Sequence, residues 1–193
     1  MAFLTMSWRA VTRRAVRGFV VLALLWGTAA RAAAPSAEYQ VKAIFLFNFA
    51  QFVEWPPQTF RDPRAPLVIG VLGDDPFGSY LDETVRGESI GNHPMVVRRY
   101  HELAEITDCQ VLFISRSEAR QMSQIVAGLQ GRSILTVGDV DDFNRVGGII
   151  RFATEQGKIR LRINVGAAQA AGITISSKLL RSATIVTAER SEP

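Results

Sequence analysis

The side chains best suited to chemistry in this 193-residue chain are a group of aspartates, one serine between glycines, two histidines and a single cysteine. Asp74, Asp75, Asp139, Asp141 and Asp142 are the residue types of a carboxylate cation site or a phospho-acceptor pocket. A calcium loop spaces its oxygens as D-x-D-x-D-G, and that pattern is absent. A phospho-acceptor domain also wants a lysine at the end of a late strand, whereas Lys158 opens its strand. Helix capping accounts for Asp139 and Asp141 without a ligand, because an N-cap carboxylate accepts from free backbone N–H groups. Gly87-Glu88-Ser89-Ile90-Gly91 matches G-x-S-x-G, the turn that presents a nucleophilic serine. That turn needs a strand directly before it, a helix directly after, and then an acid and a histidine downstream. Here a short helix precedes, Pro94 and a strand follow, and His93 and His101 both lie close to Ser89. The glycines fit a tight turn instead.

Other reaction centres lack their residues. No dinucleotide fingerprint follows a strand, and there is no Walker loop, H-E-x-x-H or paired C-x-x-C. Two histidines and one cysteine leave too few ligands for a transition metal. No catalytic residue, cofactor or metal site is expected. Cys109 is alone, so no intramolecular disulfide is expected. It reads as a buried thiol at the start of an apolar strand, with intermolecular pairing as the alternative. The chemistry-bearing residues therefore point to a binder rather than an enzyme.

The elements that position these residues follow from periodicity. A helix is predicted from about Ser36 to Val53, stopped by Pro56 and Pro57. Pro66–Gly73 is a continuous apolar run of the kind found in buried parallel strands. A turn at Asp74–Gly78 leads to a short helix over Ser79–Val85, and a loop over Gly87–Pro94 leads to a strand over Met95–Tyr100. Further strands are predicted at Gln110–Ile114 and Ile134–Val137, around a helix from Ser117 to about Leu129. A helical turn capped by Asp139 or Asp141 runs through Phe143. Gly148–Ala153 and Lys158–Ile163 form a hairpin around Thr154-Glu155-Gln156-Gly157. A helix over Asn164–Ala171 ends at Gly172, and a last helix capped by Ser176 or Ser177 extends to about Val186. Strands alternating with helices and closing in a hairpin predict a three-layer α/β sandwich with a mixed, mostly parallel sheet.

Residues 1–32 are a separate matter. Four arginines (Arg9, Arg13, Arg14, Arg17) precede an apolar run, Gly18–Thr28, and small residues follow. This is the pattern of a secretory signal peptide, with cleavage near Ala32. The apolar run is well short of the ~20 residues a spanning helix needs. Thr12-Arg13-Arg14 weakly matches a twin-arginine signal, so the export route stays open. A single domain is expected over 33–193, with a disordered tail from about residue 187. The whole chain has 22 basic and 18 acidic residues, but the leader holds five of the arginines and no acid. The mature part is close to neutral, and no nucleic-acid partner is expected.

The first mature helix is unusually apolar. Val41, Phe45, Phe49 and Phe52 form one stripe; Tyr39, Ala43, Leu46, Ala50 and Val53 form a second on another side. Gln40, Asn48, Gln51 and Glu54 share the remaining face. A surface helix normally carries one apolar stripe. Two readings stand: both stripes are core, or one of them, with Trp55, meets a second chain. On the second reading Phe45, Asn48, Phe49, Phe52, Glu54 and Trp55 are the candidate partner-binding residues. A small-ligand sensor is the alternative function. Its pocket would gather Gly73, Asp74, Asp75, Phe77, Asp139, Asn164, Ser176 and Ser177, because ligands of such sheets collect beyond strand carboxyl ends.

An ordered set of segments gives a further reading. Val41–Pro56 carries K-A-x-F-L-x-N-F-x-x-F-x-x-W-P, and Gly70–Gly78 reads GVLGDDPFG. Cys109–Ile114, Leu135–Asp139, Gly147–Ile150, Ile163-Asn164 and Ile175–Leu180 follow in order. In these segments the chain resembles the YfiR/HmsC-like family of periplasmic proteins. The resemblance implies a periplasmic, non-enzymatic repressor of an inner-membrane diguanylate cyclase of the YfiN type, acting on cyclic-di-GMP signalling and biofilm formation. It also implies self-association as a homodimer and a possible second partner, an outer-membrane lipoprotein of the YfiB type. Some relatives carry more cysteines and use disulfides, whereas this chain has only Cys109.

Overall fold

Helix α1 (Ala37–Phe52) begins where Ser36, in an extended conformation, accepts from the Tyr39 N–H. A computed structural model describes residues 35–187. The expected leader and the expected tail beyond residue 187 lie outside the described residues. The helix ends one residue earlier than predicted. Val53 is already extended, and Val53–Glu54 (β1) pairs antiparallel with Thr174–Ile175 (β9) from the far end of the chain.

Between these come β2 (Leu67–Leu72), α2 (Ser79–Val85), β3 (Ser89–Ile90), β4 (His93–Tyr100) and β5 (Val111–Ile114). Next are α3 (Met122–Gly128), β6 (Leu135–Gly138), β7 (Ile150–Glu155), β8 (Lys158–Asn164) and α4 (Val165–Ala170). After β9 the chain closes with α5 (Ser177–Arg181) and β10 (Thr184–Val186). The main sheet has eight strands in the order β10-β8-β7-β6-β5-β2-β4-β3. Strands β4, β2, β5, β6 and β7 run parallel. β8 turns back antiparallel to β7, with Phe152 opposite Leu161. The predicted sandwich with a mixed, mostly parallel sheet is therefore the fold observed.

Alternation in the central strands divides the core between the two faces of the sheet. Ile69, Val71, Val111 and Phe113 point to one side, with α1 and α2. Val68, Leu72, Leu112 and Ile114 point to the other, with Met122, Ile125 and Val126 of α3. Every residue of β2 and β5 is buried, as strands covered on both faces require. Gly70 is needed where β2 meets its neighbours. A Cβ there would lie 2.7 Å from the Tyr100 ring and 2.8 Å from Cys109 Sγ.

Several local expectations are corrected. The last helix stops at Arg181 rather than near Val186. The Ser182 hydroxyl donates to the Leu179 carbonyl at 2.7 Å and closes the turn. Thr184, Ile185 and Val186 then form a strand parallel to β8, because three β-branched residues in succession favour extended backbone. The helix expected over 117–129 is split: Ser115 caps a 3-10 segment over Arg116–Gln121, and the α-helix starts only at Met122. β4 begins at His93, inside the expected loop, and pairs there with β3. No helix follows Asp139, whose carboxylate is used elsewhere.

Candidate functional site

Helix α1 is positioned by a charge that the helical wheel conceals. Lys42 lies on the buried side of the helix, between Phe49 and Val53, and is 0% exposed. Its Nζ donates to Asp139 Oδ2 at 2.5 Å and lies 2.6 Å from Glu38 Oε1, one turn earlier. The ammonium also sits 4.4 Å from the Tyr39 ring centroid. Asp139 follows the last residue of β6, and its side chain is wholly buried. It accepts from the Tyr39 hydroxyl at 3.0 Å and from Arg116 Nε at 3.0 Å. Arg116 Nη2 also donates to the Asp139 carbonyl. The two buried charges, Lys42 and Asp139, thus neutralise one another, as buried charges must, and the more exposed Glu38 and Arg116 complete the cluster. Burial, then the Asp139 charge, push the Tyr39 phenol up to about 12. The hydrogen bond from Lys42 holds the Glu38 carboxyl below its ordinary value.

This clamp sets which faces of α1 are inside. Ala43, Leu46, Phe49 and Ala50 are buried against the sheet. The second predicted stripe is therefore the core stripe. The first one divides. Phe49 is 0% exposed and stacks on Phe152 with ring centroids 5.9 Å apart. Phe49 is thereby removed from the candidate docking residues, because its ring is enclosed by its own sheet. Phe45 also lies 5.9 Å from Phe152, but is only half-buried, as are Asn48, Phe52 and Trp55. Glu54 is exposed. Val41 and Ile44 face outward and are each 44% exposed. Ile44 is a residue that the two-stripe reading omitted. Trp55 Nε1 is buried and has no hydrogen-bond partner among the described residues.

The candidate pocket residues are not brought together. The Asp74 N–H donates to Ser117 Oγ at 3.0 Å. Asp75 accepts from the Phe77 N–H and from Arg99 Nε. Gly73 adopts φ 85°, so its side-chain-free backbone makes the turn beside Ser117. Phe77 is a core ring, edge-on to Phe113 at 4.9 Å and to Tyr39 at 5.5 Å. Asn164 and Ser176 cap α4 and α5, accepting from the Ala167 and Leu179 N–H groups, and Ser177 opens α5. The carboxyl ends of β2, β5 and β6 are thus filled by their own polar contacts. A cavity of about 660 Å³ opens at the other end of the sheet, and of the eight residues only Asn164 lines it.

The remaining chemistry-bearing residues are also accounted for. His93 Nδ1 lies 2.7 Å from the Ala65 carbonyl, and its ring stacks on Phe60 at 3.8 Å. Ser89 is in a two-residue edge strand, not in a strand-to-helix turn. Cys109 is buried, and burial pushes its thiol up to about 12. Such a thiol is not a nucleophile at neutral pH.

Among solved structures, one described as the ABC domain in complex with L-Trp from Streptococcus pneumonia is similar, with a TM-score of 0.50 and 14% identity. The match covers 77% of this chain and 60% of that one, and shows a shared fold alone. No curated protein matches the chain. No helix among the described residues is long and apolar enough to cross a membrane. Residues 39–184 match the YfiR/HmsC-like family over nearly the whole described domain, and the chain belongs to that family of periplasmic regulators.

Proposed function

We propose that this protein is a periplasmic repressor that binds the sensor domain of an inner-membrane diguanylate cyclase of the YfiN type and holds it inactive. Cyclic-di-GMP output, and with it biofilm formation, falls when the two are joined. An outer-membrane lipoprotein of the YfiB type competes for the repressor, and the repressor acts as a homodimer. The reading rests on family membership and on one observation: the outward face of α1, beside Asn48 and Gln51, exposes two large apolar side chains that the domain's own core does not use. Val41 and Ile44 are the two large apolar side chains most open there, flanked by half-buried Phe45 and Phe52. Aromatic and aliphatic side chains at the centre of an interface carry much of its energy. Repression needs only tighter binding to the inactive sensor than to the active one.

The test is co-purification of the leader-less protein with the periplasmic domains of membrane diguanylate cyclases from the same organism, for wild type, Val41→Glu and Ile44→Glu. Both variants should fold, because a glutamate at either position projects into water. Both should fail to bind and fail to repress cyclase output in cells. Folded variants that bind and repress like wild type would refute the docking face. A wild-type protein that never binds a membrane cyclase would refute the function.

A further inference from the structure

The cavity of about 660 Å³ opens at the amino ends of β6 and β7, between the last turn of α3 and helix α4. Its size is within the range of about 300–1,000 Å³ common for small-molecule sites. The walls are mostly apolar, with Leu129, Ile134, Ile149 and Ala167 representative and Gln130, Asn164 and Thr187 among the polar residues, and no aromatic ring lines it. A flat ring would find no stacking platform there, whereas an alkyl chain finds matching dispersion contacts. Arg132 and Ile134 line both this cavity and a smaller, more polar one of about 210 Å³. Thr59, Thr107, Gln110 and Ser133 line the second cavity, together with Asp108, whose carboxylate is paired with Arg61. Arg132 therefore stands at the junction between an apolar chamber and a polar one.

Arg132 Nη2 donates to the Ile106 carbonyl at 2.5 Å, which fixes the guanidinium. Among the described residues no ion pair joins Arg132 to a carboxylate, a state it shares with Arg64, Arg86, Arg98, Arg120, Arg160 and Arg181, but of these arginines only Arg132 lines the cavity. Thr136, on the same wall, accepts from the Ile149 N–H and keeps its hydroxyl proton to give. Arg132 thus presents donors and a positive charge to the larger chamber, the Asp108 carboxylate of the smaller cavity is held by Arg61, and most of the larger chamber's wall is hydrocarbon. A guanidinium with open donors recognises a carboxylate or phosphate oxygen pair.

We propose that this groove binds an alkyl-chain carboxylate, with the chain in the larger chamber and the carboxylate on Arg132. The site is independent of the α1 face, and its test needs no cyclase. The leader-less protein is titrated with sodium decanoate below its micelle-forming concentration and followed by calorimetry, with decanol and decyl phosphate as comparison probes. Decanoate should bind saturably at one site per chain. Decanol should bind about ten-fold more weakly or worse, because it lacks the charge. Decyl phosphate binding with similar strength would mean that the site reads the anion rather than the carboxylate, and would overturn the carboxylate assignment. Arg132→Ala should weaken decanoate about ten-fold or more and leave decanol unchanged. Ala167→Phe, which fills the chamber without touching the charge, should weaken both. Circular dichroism checks that each variant is folded, and either one alone suffices. Absence of saturable binding, or binding indifferent to the variants that fold, would overturn the proposal. So would a gain in decanoate binding on deletion of residues 188–193 from a wild type that binds none, since the chamber would then belong to the chain's own end.

Discussion

Replacing Lys42 by methionine tests the clamp that seats the first helix. The change keeps length and apolar stem and deletes one charge. Asp139 would remain buried with two of its three side-chain donors, the Tyr39 hydroxyl and Arg116 Nε, each at 3.0 Å. Removing one partner of a buried ion pair typically costs about 3–5 kcal/mol. The two surviving donors place Lys42→Met at the lower end, about 3 kcal/mol. For a domain of this size that corresponds to roughly 9 °C in Tm. Asp139→Leu strands the ammonium with only Glu38, which is 41% exposed, and should cost at least as much. The double variant should lose less than either single one, because an apolar pair of similar volume is often neutral relative to a buried ion pair. Urea denaturation of the leader-less protein at pH 7, followed by circular dichroism, measures all four proteins. A coupling of about 3 kcal/mol is expected. Single variants within ~0.5 kcal/mol of wild type, or a double variant equal to the sum of the singles, would refute the assignment of the clamp.

Three further outcomes are expected. Phe49→Ala should cost about 3–5 kcal/mol in the same denaturation assay, and Phe49→Glu should not fold, since the ring is enclosed between Phe45 and Phe152. Cys109 should ignore a thiol reagent in the native state at pH 8 and react fully in 6 M guanidinium, with burial and a thiol pushed up to about 12 both protecting it. Arg99 joins Asp75 to Asp82, and its hydrogen bond holds the Asp82 carboxyl below the ordinary 3.8. A carboxyl lowered in the folded state stabilises above its unfolded value and loses that contribution as pH falls through the folded one. Arg99→Met should therefore destabilise by about 0.5–1 kcal/mol at pH 7, discounted for its partial exposure, and the gap should close below pH 3.8 in pH-dependent melts.

The parts of the fold that local pattern determines were legible. The buried strands announced themselves as apolar runs; Ser176 caps the helix that it or Ser177 was expected to cap, and Ser36 and Asn164, expected as first helical residues, are caps. What escaped was set by residues distant in sequence. Lys42 was assigned to neither stripe of the helix, because nothing nearby reveals that Asp139 waits 97 positions away. Its place on the helical wheel, inside the apolar arc, was the available signal. Asp139 itself read as a helix cap because a carboxylate after a strand is usually one. Phe49 and Val41 shared a stripe, yet only the packed structure separates the ring on Phe152 from the side chain in water. The strand over 184–186 was hidden because five helical residues precede it, and its pairing with Arg162–Asn164 is again non-local.

The pairing of β1 with β9 carries a consequence for the order of events during biosynthesis. Val53 meets Ile175, and the Ser176 N–H donates to the Phe52 carbonyl. The earliest described segment to leave the ribosome is thus among the last to be seated. Until the final quarter of the polypeptide arrives, its aromatic flank has no permanent home and is open to chaperones. Premature stop codons anywhere before residue 176 should leave products that are degraded rather than partly active.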